Sequence, residues 1–175
     1  MTSERGLSGG IIAAGDGSRL RQGGWTVPKP MVPVAGVPLI ESTIRNFMAA
    51  GISRLSIIVN EQERDCAAWV IARFAELDLR MIVKTTASSL ESFREVTGAP
   101  EGGRMLVSTV DAWCRPADFA RFVSWAVRRP QEATVLAVTA LIEDEKPLGV
   151  TMHAEGRVTA LGVASPALVT AGVYL

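Results

Sequence analysis

The sequence predicts an α/β fold: a single domain of three α/β/α layers around a mixed, mostly parallel sheet, with an antiparallel part towards the C-terminus. Three observations predict it. From Gly10 onward, apolar runs of strand length alternate with stretches of helical periodicity, the pattern that buries a parallel sheet between helices. The first apolar run breaks directly into a glycine-containing turn, Gly15-Asp16-Gly17. After Pro130 the alternation gives way to closely spaced strand-like segments. Neither an internal repeat nor a low-complexity linker divides the chain, so the change reads as an addition to one sheet.

The elements follow in order. Ile11 to Ala14 suit a buried strand. Pro38 fits the first turn of a helix whose Ile40, Ile44, Phe47 and Met48 share a face, with Gly51 as its stop. Leu55 to Val59 reads as a buried strand, Glu61 to Leu77 as a helix carrying Cys66, Trp69, Val70, Phe74 and Leu77, and Leu79 to Val83 as the next strand. Ser88 followed by Glu91 forms a capping box for a short helix through Val96. Met105 to Val110 is a strand ending at Asp111, and Pro116 opens a helix bearing Phe119, Phe122, Val123 and Ala126. Ala133 to Ala140 is strand-like, Gly149 to His153 and Arg157 to Leu161 form a hairpin across Ala154-Glu155-Gly156, and Thr170 to Leu175 is a last strand. Trp69 and Trp125 are expected in helix cores, and Trp25 beside the loops described next.

Residues Gly10 to Ile40 read GIIAAGDGSRLRQGGWTVPKPMVPVAGVPLI. Small residues let bare N–H groups approach an anion, and Arg19 and Lys29 add charge, so the stretch reads as a phosphate-handling surface. Two commoner phosphate loops do not fit. A P-loop needs a lysine directly after its second glycine, and a dinucleotide fingerprint needs a third glycine where this chain has Leu20. The lysine comes instead between Pro28 and Pro30, which predicts a rigid, extended presentation.

This stretch resembles the signature of the sugar-phosphate nucleotidyltransferases, the NDP-sugar pyrophosphorylases. The resemblance rests on Ala13-Ala14-Gly15-Asp16-Gly17-Ser18-Arg19-Leu20, then Pro28-Lys29-Pro30-Met31, then Gly36-Val37-Pro38-Leu39-Ile40. It implies a Rossmann-like nucleotide-diphospho-sugar transferase fold and an enzyme that moves a nucleoside monophosphate from a nucleoside triphosphate to a sugar 1-phosphate, releasing pyrophosphate. It further implies that Ala13, Ala14, Gly15, Asp16, Gly17 and Ser18 hold the triphosphate, that Arg19 pairs with the departing pyrophosphate and that Lys29 neutralises the reacting phosphates. Leu106-Val107-Ser108-Thr109-Val110-Asp111 resembles the family strand that ends in a metal-binding aspartate, so Asp111 is the implied Mg²⁺ anchor. The segment from Lys84 to Ser92 resembles the loop that accepts the base. There Thr85, Ser88 and Ser89 could offer hydroxyls, although Ser88 serves equally well as a helix cap.

Composition narrows the partners. The chain has 175 residues, 48% of them hydrophobic, and 18 basic residues against 18 acidic ones, enough for one core and without a global field for nucleic acid or an anionic membrane. Positive charge must be placed locally. Cys66 and Cys114 lack metal-ligand spacing, the N-terminus lacks a signal-like pattern, and no apolar run reaches the roughly 20 residues of a membrane span. A reducing cytoplasm is the default; self-association stays open.

The resemblance weakens towards the C-terminus. Family members continue past the Ala171-Gly172-Val173-Tyr174 strand to a second metal carboxylate and to sugar-gripping residues, so the domain, spanning 1–175, is expected to be truncated there. Where the family places Glu-Lys-Pro this chain has Ala164-Ser165-Pro166, and its own Glu145-Lys146-Pro147 lies before the hairpin. Alternatives therefore stay open: a truncated or degenerate relative that binds nucleotide without turnover, a partner-binding scaffold, or a cytidylyltransferase acting on a phospho-alcohol. Lone His153 has no catalytic neighbours in the sequence.

Overall fold

The computed structural model describes residues 6–98, 103–129, 134–142 and 147–175. The chain begins β1 (Ser8–Ala13), α1 (Ser18–Gln22), β2 (Pro33–Val34), β3 (Val37–Pro38) and α2 (Leu39–Ala49). It continues β4 (Arg54–Val59), α3 (Arg64–Arg73), β5 (Asp78–Val83), α4 (Ser89–Thr97), β6 (Met105–Thr109) and α5 (Pro116–Val127). The last part is β7 (Leu136–Thr139), β8 (Gly149–Met152), β9 (Val158–Leu161) and β10 (Leu168–Tyr174). In the main sheet the order is β5-β4-β1-β6-β10-β8-β9, with β7 also on β10.

The first four of these neighbours pair in parallel, and everything beyond β6 is antiparallel. The predicted mixed sheet with an antiparallel C-terminal part is therefore observed. Side-chain alternation explains the layers. Ile11 and Ala13 of β1, Leu55, Ile57 and Val59 of β4, and Leu106 of β6 point into one core with Ile40, Ile44 and Phe47 of α2, Val70 of α3 and Phe119 of α5. The opposite parity, Ile58 and Val107, packs with Ala14 and with Val96 of α4. Three helices thus cover one face and α4 the other.

This order makes a switch point. After β1 the chain crosses over to build β4 and β5 on one side, then returns to lay β6 on the other. The crevice outside the carboxyl ends of β1 and β6 is where open α/β sheets receive ligands. Both segments singled out in the sequence, the loop after β1 and Asp111 after β6, open onto that rim.

Several local expectations change. Lys29 is not extended: Lys29–Met31 form a 3-10 turn, closed by the Met31 N–H donating to the Pro28 carbonyl at 2.8 Å. Pro30 is tolerated there because the first turn of a helix needs no N–H from it. The predicted Glu61–Leu77 helix is a 3-10 turn over Glu61–Glu63 followed by α3, and Phe74, 1% exposed, leaves the helix to bury its ring. Trp125 is 45% exposed, on the shoulder of α5 beyond the buried Phe119, Val123 and Ala126, with the Arg129 guanidinium 3.4 Å from its ring centroid. The short helix α1 and the β2–β3 ribbon were not expected. Pro130, Ala133, Glu145 and Lys146 lie outside the described residues. Among the described residues no helix is long and apolar enough to cross a membrane.

Candidate functional site

The loop after β1 turns on Gly17, whose φ of 62° is left-handed and favours glycine. A Cβ there would sit 3.4 Å from Cβ of Lys29, so the glycine also lets the 3-10 turn press against the loop. Asp16 occupies the loop from within. Its Oδ1 accepts the Ser18 N–H at 3.2 Å, and the Arg21 guanidinium donates to its backbone carbonyl. The Ser18 N–H bond, with further help from the charges of Arg21 and Lys29, holds the Asp16 carboxyl below the usual range. Arg19 lies exposed on α1, among the same loop residues.

Lys29 reaches across the crevice. Its Nζ donates to Asp111 Oδ2 at 2.5 Å, joining residues 82 positions apart. The lysine side chain is 29% exposed and the aspartate 49%. Partial burial resists ionisation of Asp111, but the Lys29 charge and hydrogen bond, with the Thr109 hydroxyl, outweigh it, and the carboxyl is held below its ordinary value. β10 pairs with β6 beside this corner, Val173 opposite Ser108, and Gly172 just before it has a left-handed φ of 74°. A Cβ on Gly172 would lie 2.5 Å from the Thr109 hydroxyl, so the glycine keeps room for the group that supports Asp111.

The expected base-binding segment lies beside the same rim. Buried Asn60, at the end of β4, donates from its amide to the Ala14 carbonyl at 3.4 Å, and the Thr85 hydroxyl lies 3.3 Å from Asn60 Oδ1 and 3.1 Å from Glu61 Oε2. One hydroxyl proton serves one of these acceptors at a time. Ser88 acts as the cap of α4: its Oγ accepts the Glu91 N–H at 3.2 Å, while Glu91 accepts the Ala87 N–H at 2.9 Å. Ser89 is exposed in the first turn of α4.

Glu63 is the residue that sequence reasoning missed. It is 7% exposed, and its Oε2 is buried without a hydrogen-bond partner among the described residues. Burial pushes its carboxyl up to about 7, against the pull of Arg21 and Lys29. Because the folded value lies above the unfolded one, the stability from the neutral carboxyl is complete below the unfolded value near 4.5 and lost as pH rises through about 7. Urea denaturation should show the protein weaker at pH 8 than at pH 5 by up to roughly 3 kcal/mol, with Glu63→Gln flattening that difference; parallel pH profiles would refute it.

Among the described residues no group of three or more His, Cys, Asp or Glu side chains converges to cage a metal ion. Asp111 offers an ionised oxygen ligand at the end of β6, a donor that suits Mg²⁺ only if phosphate oxygens complete the shell. A groove of about 500 Å³ lies elsewhere, around Val150, His153, Ser165 and Pro166 of the hairpin region, and contains none of the residues above.

A sequence profile of the nucleotidyl transferase family matches residues 9–162. The 2-aminoethylphosphonate cytidylyltransferase of Lancefieldella rimae is 43% identical over 49 residues, which cover 28% of this chain and 20% of that protein. The mannose-1-phosphate guanyltransferase of Yarrowia lipolytica is 26% identical over 157 residues, covering 86% of this chain and 42% of that protein. The chain thus spans less than half the length of either curated relative. Among solved structures, the inositol-1-phosphate CTP transferase from T. maritima superposes with a TM-score of 0.78 at 20% identity, over 95% of this chain and 69% of that one. A putative glucose-1-phosphate thymidylyltransferase from Bacillus anthracis gives 0.82 at 17% identity, over 97% and 70%. These likenesses agree with the fold, and the profile match extends from β1 through the β8–β9 hairpin: this chain belongs to the nucleotidyl transferase family.

Proposed function

We propose that the chain forms the triphosphate-binding part of an enzyme that transfers a nucleoside monophosphate from a nucleoside triphosphate to a phosphate-bearing acceptor, a sugar 1-phosphate in the first reading. The observation that carries it is the Lys29–Asp111 pair, 2.5 Å long, standing at the sheet's switch point beside the Gly17 turn. An acceptor phosphate oxygen attacks the α-phosphorus, the bond from that phosphorus to the β-phosphate's bridging oxygen breaks, and pyrophosphate leaves with the electron pair. Both partners are anions, so the site's task is to place positive charge and oriented N–H groups, with no protein nucleophile needed.

In this reading the N–H groups from Gly15 to Ser18 orient the triphosphate, Lys29 counters charge on the reacting phosphates and Arg19 holds the departing pyrophosphate. Asp16, which accepts the Ser18 N–H at 3.2 Å, must yield that donor to the ligand. Asp111 would hold a divalent cation such as Mg²⁺, which when bound neutralises phosphate charge. Thr85 and Ser89 face the base or ribose, while Ser88 contributes through the cap it makes for α4. The reaction takes place in a reducing cytoplasm, where the two free thiols, Cys66 and Cys114, persist.

A second reading keeps the chemistry and changes the substrates: a cytidylyltransferase acting on a phospho-alcohol or phosphonate. The names of the Lancefieldella rimae relative and the T. maritima structure favour it. Pyrophosphate release separates the readings when the chain is incubated with Mg²⁺, each common nucleoside triphosphate, and sugar 1-phosphates or 2-aminoethylphosphonate. Binding without release supports a non-catalytic relative, and no binding refutes the proposal. Asp111→Asn should raise the Mg²⁺ concentration for half-maximal activity by about tenfold or more, since even outer-shell changes cost about 10- to 100-fold; an unchanged metal titration would remove Asp111 from the role.

A further inference from the structure

Glu63 has no place in the chemistry above, yet it lies where its charge matters. It ends the 3-10 turn after β4, its N–H donating at 2.9 Å to the carbonyl of Asn60, whose amide in turn donates to the Ala14 carbonyl at 3.4 Å, and the charges of Arg21 and Lys29 favour its ionised form. The other titratable group facing it is Cys66, one turn along α3, whose thiol is pushed up to about 12 by burial and then by Glu63, and so stays neutral. A carboxylate that is 7% exposed with one oxygen unpartnered is costly to keep ionised. Arg21 bonds directly to Asp16 and Lys29 to Asp111, and their charges offset only part of that cost.

A triphosphate at the signature loop brings several negative charges to those same cations. The ionised Glu63 would then face both repulsion from the ligand and competition for Arg21 and Lys29. We propose that Glu63 takes up one proton from solvent as the polyphosphate docks, becoming a neutral carboxylic acid and removing its repulsion for the ligand. The inference rests on the reading that this loop holds the triphosphate. It makes Glu63 a positioning residue whose protonation is coupled to nucleotide binding, so that affinity falls as pH rises above about 7, by up to tenfold per pH unit, and is insensitive to this group in acid, where it is already neutral.

The test is calorimetric. The full chain is titrated with inorganic pyrophosphate, and separately with ATP, CTP, GTP and UTP, in excess Mg²⁺ at pH 8, in two buffers of different ionisation enthalpy. The expected result is net proton uptake by the wild type and less uptake by Glu63→Gln, with the variant's affinity exceeding the wild type's at pH 8 more than at pH 6. Equal proton counts in the two proteins overturn the inference. Because the variant could fold poorly, carbon-13 NMR of the wild type provides an independent readout: the glutamate carboxyl that titrates near neutrality should move its midpoint upwards when pyrophosphate is added, and an unmoved midpoint is equally fatal. If none of the probes binds, the triphosphate reading itself fails and takes this inference with it.

Discussion

Lys29→Ala should lower turnover on the order of 10²- to 10³-fold, the loss that follows removal of one preorganised donor at a site of developing charge. The structure explains why the loss should be catalytic and not conformational. Lys29 is anchored through its backbone, since the 3-10 turn is closed by the Pro28 carbonyl and the Met31 N–H, and the neighbouring Pro30 is buried. Its ammonium group makes one partly exposed ion pair, which is worth about 1 kcal/mol or less. Deleting the charge therefore leaves the fold nearly intact and leaves Asp111 without its partner. Steady-state pyrophosphate release with matched urea denaturation would check both halves. Full activity in the variant would remove Lys29 from the mechanism; a collapse of stability would show that the loss was structural. Arg19→Ala should lose activity on the same scale.

Phe47→Ala should cost about 3–5 kcal/mol of stability, the range for truncating a large buried aromatic. Phe47 is fully buried, and its ring lies 5.2 Å from that of Phe119 at an interplanar angle of 53°, tying α2 to α5 across the larger core. Since a domain of this size is stable by only about 5–15 kcal/mol in total, the change would bring the protein close to unfolding at ordinary temperatures. Phe47 belongs to the last turns of α2, where it is fully buried in the core. The folded fraction that remains at low temperature should keep its turnover per molecule. A denaturation midpoint within error of the wild type would contradict the packing argument.

These two residues also mark how the protein could be read. Phe47 was legible because core helices announce themselves through local spacing: Ile40, Ile44 and Phe47 recur at helical intervals and all prove buried. Trp125 shows the limit of that reading. Its neighbours Phe119, Val123 and Ala126 define the buried stripe, and Trp125 falls just off it, half in water with the Arg129 guanidinium stacked on its ring. Lys29 was legible as a charged residue between prolines, but the preference of a residue before proline for extended backbone yielded to a single turn closed by a neighbouring hydrogen bond.

Glu63 was not legible. In the run Glu61-Gln62-Glu63-Arg64-Asp65 it looks like part of a solvated helix start. Its burial, at 7% exposure, appears only in the folded chain, where the turn it ends follows Asn60, bonded to the Ala14 carbonyl far away in sequence. The same holds for Asn60 and Gly172, whose roles come from what lies opposite them: the Ala14 carbonyl and the Thr109 hydroxyl.

From the linear chain alone one can read the strand–helix alternation, the antiparallel ending, the family signature across residues 10–40 and the acidic end of β6, because each depends on chemistry within a few residues of itself. Folding was needed to bring Lys29 within 2.5 Å of Asp111, to bury Glu63 and to assign Ser88 to a cap. Those facts depend on β6 lying beside β1, a long-range pairing that local propensity does not encode, and on a balance of charge and desolvation that exists only once distant segments share one crevice.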